Sequence, residues 1–139
     1  MRRLHKPTVA DDQPRGGIAT VEIAVMLPLL LVLTFGSIEA ANAIFLKQTV
    51  TIAAYEAAKI ASKNSGTTQM AETRCSEFLA SRGITSYTFT TTPGNVTDQT
   101  DRGTQISVQL SVSASASAAG PWRFYNDTTI SKTVTMVRL

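Results

Sequence analysis

Apolar residues fall in three successive patterns along this chain. From Ile18 to Ile38, 21 residues contain one charge, Glu22, and Ile23 through Ile38 contain none. At 1.5 Å per residue such a helix is about 31 Å long, which matches a hydrocarbon core of about 30 Å and predicts one membrane span. Beyond Glu39 the apolar positions narrow but keep helical spacing. Leu46, Val50, Ala53, Ala57, Ile60 and Ala61 form a stripe, while Lys47, Gln48, Thr51, Tyr55, Lys59, Ser62 and Lys63 take the other side. The helix is expected to stop at Asn64-Ser65-Gly66. A second, short helix follows, capped by Thr67 or Thr68, with Glu72 in its first turn. It has Ala71, Cys75, Phe78 and Leu79 on one face, and Gly83 ends it. The period then changes to two. Tyr87 and Phe89 alternate with Ser and Thr, Ile106, Val108, Leu110 and Val112 alternate with polar residues, and Ile130 to Val137 alternates less cleanly. Pro93-Gly94-Asn95 and Asp101-Arg102-Gly103 bracket the first connection, and Ala114 to Pro121 is expected to be a flexible loop in the second.

These elements predict an α+β chain: a long N-terminal helix, transmembrane in its first half and amphipathic in its second, a short second helix, and a small three-stranded antiparallel sheet. Such a sheet has one apolar face to cover, and the amphipathic helix can cover it. The expected divisions are a leader over 1–17, a transmembrane helix over 18–39, its amphipathic continuation over 40–65, and a small extracytoplasmic domain over 66–139. The 139 residues leave no room for two large domains.

Composition changes this picture little. The charged share, 17%, falls below the usual value of about 25% because of the apolar run. A net charge of +3 would point to a polyanion only if Lys and Arg clustered, and they do not, so nucleic acid is set aside as a partner. Ser and Thr supply 24 of the residues from 67 to 139, which suits a β-rich extracytoplasmic surface. Asn95-Val96-Thr97 and Asn126-Asp127-Thr128 match the N-glycosylation acceptor, a triplet that recurs by chance. The single cysteine, Cys75, closes no intrachain disulfide and reads as a small buried hydrophobe; the alternative is an intermolecular disulfide.

Catalytic chemistry has little to work with. The only histidine, His5, lies in the leader, remote in sequence from every serine and from Cys75, so no triad forms around it. Zinc spacings, a phosphate-binding glycine loop and a dinucleotide fingerprint are absent. We therefore expect no catalytic, cofactor-binding or metal site, and no cofactor. Within the span, Pro28 predicts a bend and not a stop, because a membrane helix can satisfy the carbonyl that proline frees. Glu22 is the odd residue, since a carboxylate at the edge of an apolar span is costly unless it snorkels, protonates or meets a cation.

Gly17, followed by an apolar segment with Glu22 five residues on and basic residues upstream, resembles the processing site of type IV prepilins. The order Gly17-Ile18-Ala19-Thr20-Val21-Glu22-Ile23-Ala24, Leu27-Pro28-Leu29-Leu30-Leu31, Phe35-Gly36 with Glu39, and Ala53-Ala54-Tyr55-Glu56-Ala57-Ala58-Lys59 is similar to the N-terminal signature of TadE-like proteins. These are pseudopilins or minor pilins of Tad (Flp, type IVc) pilus systems. The resemblance covers about residues 15 to 63 and none of the C-terminal 76 residues. It implies a non-catalytic assembly role after a prepilin peptidase cuts between Gly17 and Ile18. By the same resemblance Glu22 pairs with a neighbouring subunit's new amine, and Glu39 serves docking to the assembly platform or marks the membrane exit. Implied partners are the prepilin peptidase, other pilins and pseudopilins, the inner-membrane assembly platform and the lipid bilayer.

Two other readings compete. Ala41-Asn42-Ala43 resembles a general signal peptidase site and would give a secreted protein beginning at Ile44. An unprocessed single-span anchor carrying a small periplasmic binding module would instead keep residues 1–17. Four Lys and Arg in the leader against three from Lys47 to Lys63 give a slight positive-inside bias. The N-terminus is then expected in the cytoplasm and the C-terminal domain in the periplasm, with the chain in the bacterial inner membrane, or outside the cell if it enters a pilus.

Overall fold

The structure, a computed structural model, describes residues 16–117 and 128–139. In chain order its elements are α1 (Gly16–Ala61), α2 (Thr68–Ala80), β1 (Thr88–Thr92), β2 (Gln105–Ser113), a 3-10 helix (Ala114–Ser117) and β3 (Thr129–Val137). The α+β class and the three-stranded antiparallel sheet expected from the change of period are both present. Two compact units divide the chain, the first ending at Thr34 and the second spanning Phe35–Leu139.

In the first unit every described residue is helical, and the helix continues through Pro28 without a break. The hydroxyl of Thr34 donates to the Leu30 carbonyl at 2.8 Å, so this polar group in an apolar stretch is satisfied by its own backbone.

The second unit is built on β2, the central strand in the order β1-β2-β3. Its burial alternates, with Ile106, Val108, Leu110 and Val112 all inward, as a sheet with one covered face requires. The register sets Phe89 and Lys132 on either side of Leu110, and Thr91 and Val134 on either side of Val108. One continuous apolar cluster joins these strand residues to Leu46, Val50, Ala53, Ala57 and Ala61 of α1 and to Ala71, Cys75 and Leu79 of α2. Ala54 and Ala58 belong to it too, so the buried face of α1 is wider than the stripe read from spacing. Five alanines in nine residues, Ala53 to Ala61, leave little side chain between α1 and its neighbours.

Ser62 is a correction to the sequence reading, which placed it on the polar side. It is buried, its hydroxyl donating to the Lys59 carbonyl at 3.1 Å and lying 3.7 Å from the Met136 sulfur. The chain's last residues fold over this turn, with the Leu139 N–H donating to the Ser62 carbonyl at 3.0 Å.

Thr67 caps α2, its side chain accepting from the Met70 N–H at 3.2 Å. Thr68 ties the helix start to the loop before β2, donating its N–H to Val96 and accepting the Val96 N–H on its hydroxyl. Glu72 lies just past the first turn and not in it. Gly83, at φ 73°, ends the helix where an L side chain would be strained, and Ile84 then turns back to donate its N–H to Leu79. The loop expected over Ala114 to Pro121 begins instead as a 3-10 helix with Ala114 buried, because the Ala114 N–H bonds the Thr128 carbonyl at 2.8 Å. Residues 118–121 of that loop, and the leader with His5, lie outside the described residues.

Candidate functional site

Gly17 and Ile18 stand in the first turn of α1. Among the described residues nothing lies within 4 Å of where a Cβ on Gly17 would be, and its φ is not in the left-handed region. Packing and backbone conformation therefore give no reason for glycine here, although it costs a helix about 0.5–1 kcal/mol relative to alanine. A protease needs extended backbone, and this turn is the cheapest to unwind, since the first N–H groups of a helix have no intrahelical partner.

Glu22 lies four residues after Ile18, on the same helix face, and is exposed. Val21, Ile23, Val25 and Met26 surround it on the helix surface. Among the described residues the only ion pair is Arg74 with Glu77 at 3.7 Å, so Glu22 has no cationic partner there. From Ile18 to Leu33 eleven large apolar side chains are exposed, Ile18 by 68%. Covering them is worth on the order of 20 kcal/mol. That exceeds the net stability of a typical domain, about 5–15 kcal/mol, so this surface is built to be covered. The helix is long and apolar enough to cross a membrane.

The remaining candidates lie in the second unit. Of the expected stripe, Leu46, Val50, Ala53 and Ala57 are buried, and Ile60 is partly buried against the same cluster. Glu39 is only 8% exposed, and its Oε2 has no hydrogen-bond partner among the described residues. Such an oxygen costs about 1–3 kcal/mol, so the fold tolerates Glu39 more than it gains from it. Ala41, Asn42 and Ala43 are helical and half-buried within α1. Cys75 is fully buried on α2; burial, and then the nearby Glu72 charge, push its thiol up to about 11, so the thiolate needed for disulfide exchange is suppressed. No group of three or more His, Cys, Asp or Glu able to hold a metal occurs among the described residues.

Sequence reasoning missed Arg138, which reads as one more scattered cation but is 2% exposed. Its Nη1 donates to the carbonyls of Ala61 and Gly66, both at 3.1 Å, and its Nη2 to that of Asn64 at 2.6 Å. These are carbonyls at and just past the C-terminal end of α1, where the helix dipole is negative and a cation is favoured. Gly66 makes the approach possible, since a Cβ there would collide with the Ile60 carbonyl and come within 2.9 Å of the Ala61 oxygen.

The chain thus combines a helix headed by Gly17 and Glu22, whose first half is exposed and apolar enough to cross a membrane, with a small α+β unit packed on its second half. Residues 17–59 match the family model described as TadE-like protein, so this segment is similar to that family. The match reaches neither α2 nor any strand. No curated protein and no solved structure matches the chain.

Proposed function

We propose that this chain is a minor pilin or pseudopilin that takes part in assembling a Tad-type (type IVc) pilus after a prepilin peptidase removes residues 1–17. The observation that carries the reading is the coincidence of the TadE-like match over 17–59 with a helix whose first half is apolar and exposed. TadE-like proteins are a structural, non-catalytic family, and their pilus association makes other pilins the natural partners. In this reading the leader is cytoplasmic, the span lies in the inner membrane, and the second unit is periplasmic, or extracellular once the subunit joins a filament. The assembly platform and the peptidase then meet the chain at its cytoplasmic end.

Cleavage before Ile18 creates an ammonium beside a bilayer-level carboxylate. Each is costly alone in a medium of low dielectric, and a well-made pair offsets much of that cost. Glu22 paired with a neighbour's Ile18 amine would set the register between subunits. Glu39, where the apolar run closes, is assigned to the membrane exit. The pairing is tested with Glu22→Ala in the native host: pilus display and co-purification with other pilins are expected to fall while processing continues. Unchanged display and co-purification would remove Glu22 from the proposal.

A further inference from the structure

β1 and β3 are the edge strands of the sheet, and each leaves a row of backbone N–H and C=O groups with no strand beside it among the described residues. Such a row is a template on which another chain can add a strand. β1 offers little of one. It is five residues long, Pro93 follows it directly, and its Thr91 hydroxyl lies 3.4 Å from that of Thr68 at the start of α2. β3 is nine residues long, contains no proline, is rich in β-branched side chains and carries one charge, Lys132. That composition favours pairing.

The ladder shows which backbone groups of β3 are free. At its two ends the Ala114 N–H donates to the Thr128 carbonyl at 2.8 Å and the Arg138 N–H to the Thr104 carbonyl at 2.9 Å. In an antiparallel pair bonded and non-bonded positions alternate. Ile130, Lys132, Val134 and Met136 therefore bond to β2, and the N–H and C=O groups of Ser131, Thr133 and Thr135 point to the free edge. All three of these residues are exposed.

Lys132 stands near the middle of that edge, on the covered face of the sheet. Ile130, Val134 and Met136 share this face and pack against the core, and the partner of Lys132 across the ladder is the buried Leu110. Lys132 is nonetheless exposed and makes no ion pair among the described residues. Its stem can lie along the apolar row only while its ammonium reaches water past the edge of the sheet. A strand added to β3 would occupy that exit and leave an unpaired cation between two apolar rows, which is strongly unfavourable. We infer that Lys132 guards the β3 edge, keeping it from pairing with the β3 strand of a second copy of this chain. A helix able to hold copies in one bilayer raises their effective concentration, which is where such a guard matters most. The inference concerns the second unit and does not depend on the pilin-type reading.

The test compares the full chain in detergent micelles with its Lys132→Val, Lys132→Thr and Lys132→Arg variants. Sedimentation over a range of concentrations reads self-association, and amide exchange resolved at Ser131, Thr133 and Thr135 reads whether the β3 edge is paired. Valine and threonine suit the strand and remove the charge, whereas arginine keeps it. Both uncharged variants are expected to associate at concentrations more than about tenfold below the parent's, with the three edge amides slowing as they do so, while Lys132→Arg behaves as the parent. Thr133→Pro added to Lys132→Val removes a free N–H that makes no ladder bond, and should restore the parent's behaviour. Uncharged variants that sediment and exchange like the parent would overturn the inference. So would association that leaves the edge amides unprotected, association of Lys132→Arg, or association that survives Thr133→Pro. Near-ultraviolet circular dichroism verifies that each variant is folded, and Lys132→Thr carries the test should Lys132→Val not fold.

Discussion

Replacing Arg138 by methionine keeps much of the apolar stem and removes the guanidinium that closes α1. Three hydrogen bonds go with it, to Ala61, Gly66 and Asn64. Bonds from a charged donor are worth about 1.5–3 kcal/mol each, and carbonyls left dry by truncation lose more than those water can reach. Asn64 and Ser65 are exposed, so water can replace the bond to the Asn64 carbonyl, but Ala61 and Gly66 are buried. Against the loss stands relief from holding a cation in the interior with its Nε unpartnered. The net expectation is a loss of about 3 kcal/mol, or roughly 10–20 °C in Tm for a unit of this size. Arg138→Lys, which keeps the charge at the helix end but cannot span three carbonyls, should lose about half as much. Thermal unfolding of the full chain in detergent, followed by near-ultraviolet circular dichroism and by amide exchange over Ile106–Val112, measures both. An Arg138→Met chain that melts with its parent would refute the argument that this cation holds the end of α1.

Two further predictions concern the same unit. Gly66→Ala drives a methyl into the carbonyls of Ile60 and Ala61 and should destabilise by about 1–3 kcal/mol in the same melt, whereas alanine at Gly17, which meets nothing, should leave the melt unchanged. Cys75 gives a pH signature: its folded pKa, about 11, lies above the ordinary 9.0, so its contribution is intact below pH 9 and is lost as pH rises toward 11. Cys75→Ala should flatten that part of the stability profile relative to the parent, and native Cys75 should react with thiol reagents only as fast as the unit unfolds.

Features set by local periodicity were readable in the chain. The apolar run needs only length, Thr67 is a cap by its own side chain, and β2 alternates cleanly because it is central and covered on one face. β3 alternates less cleanly for a visible reason: the register sets Lys132 beside Leu110 at the sheet edge, where the side chain is exposed. Long-range relations were not readable. Arg138 and Ser62 are separated by 76 positions, and only folding brings the chain's last residues over the end of α1, burying a cation and a hydroxyl that composition assigns to solvent. Ala54 and Ala58 escaped because alanine marks no face by itself. Of the site, Gly17, Ile18 and Glu22 were found through a family signature, which the family match supports over 17–59 without testing their roles.

The account stands most directly on where the mature protein begins. Mass spectrometry of the N-terminal peptide, on protein purified from membranes of the native host with and without the cognate prepilin peptidase gene, reads this in one measurement. The account predicts Ile18 as the first residue, replaced by the unprocessed leader when the peptidase is deleted. Met1 in both strains, or Ile44 as the first residue, would contradict it and leave a plain membrane anchor or a secreted domain in its place.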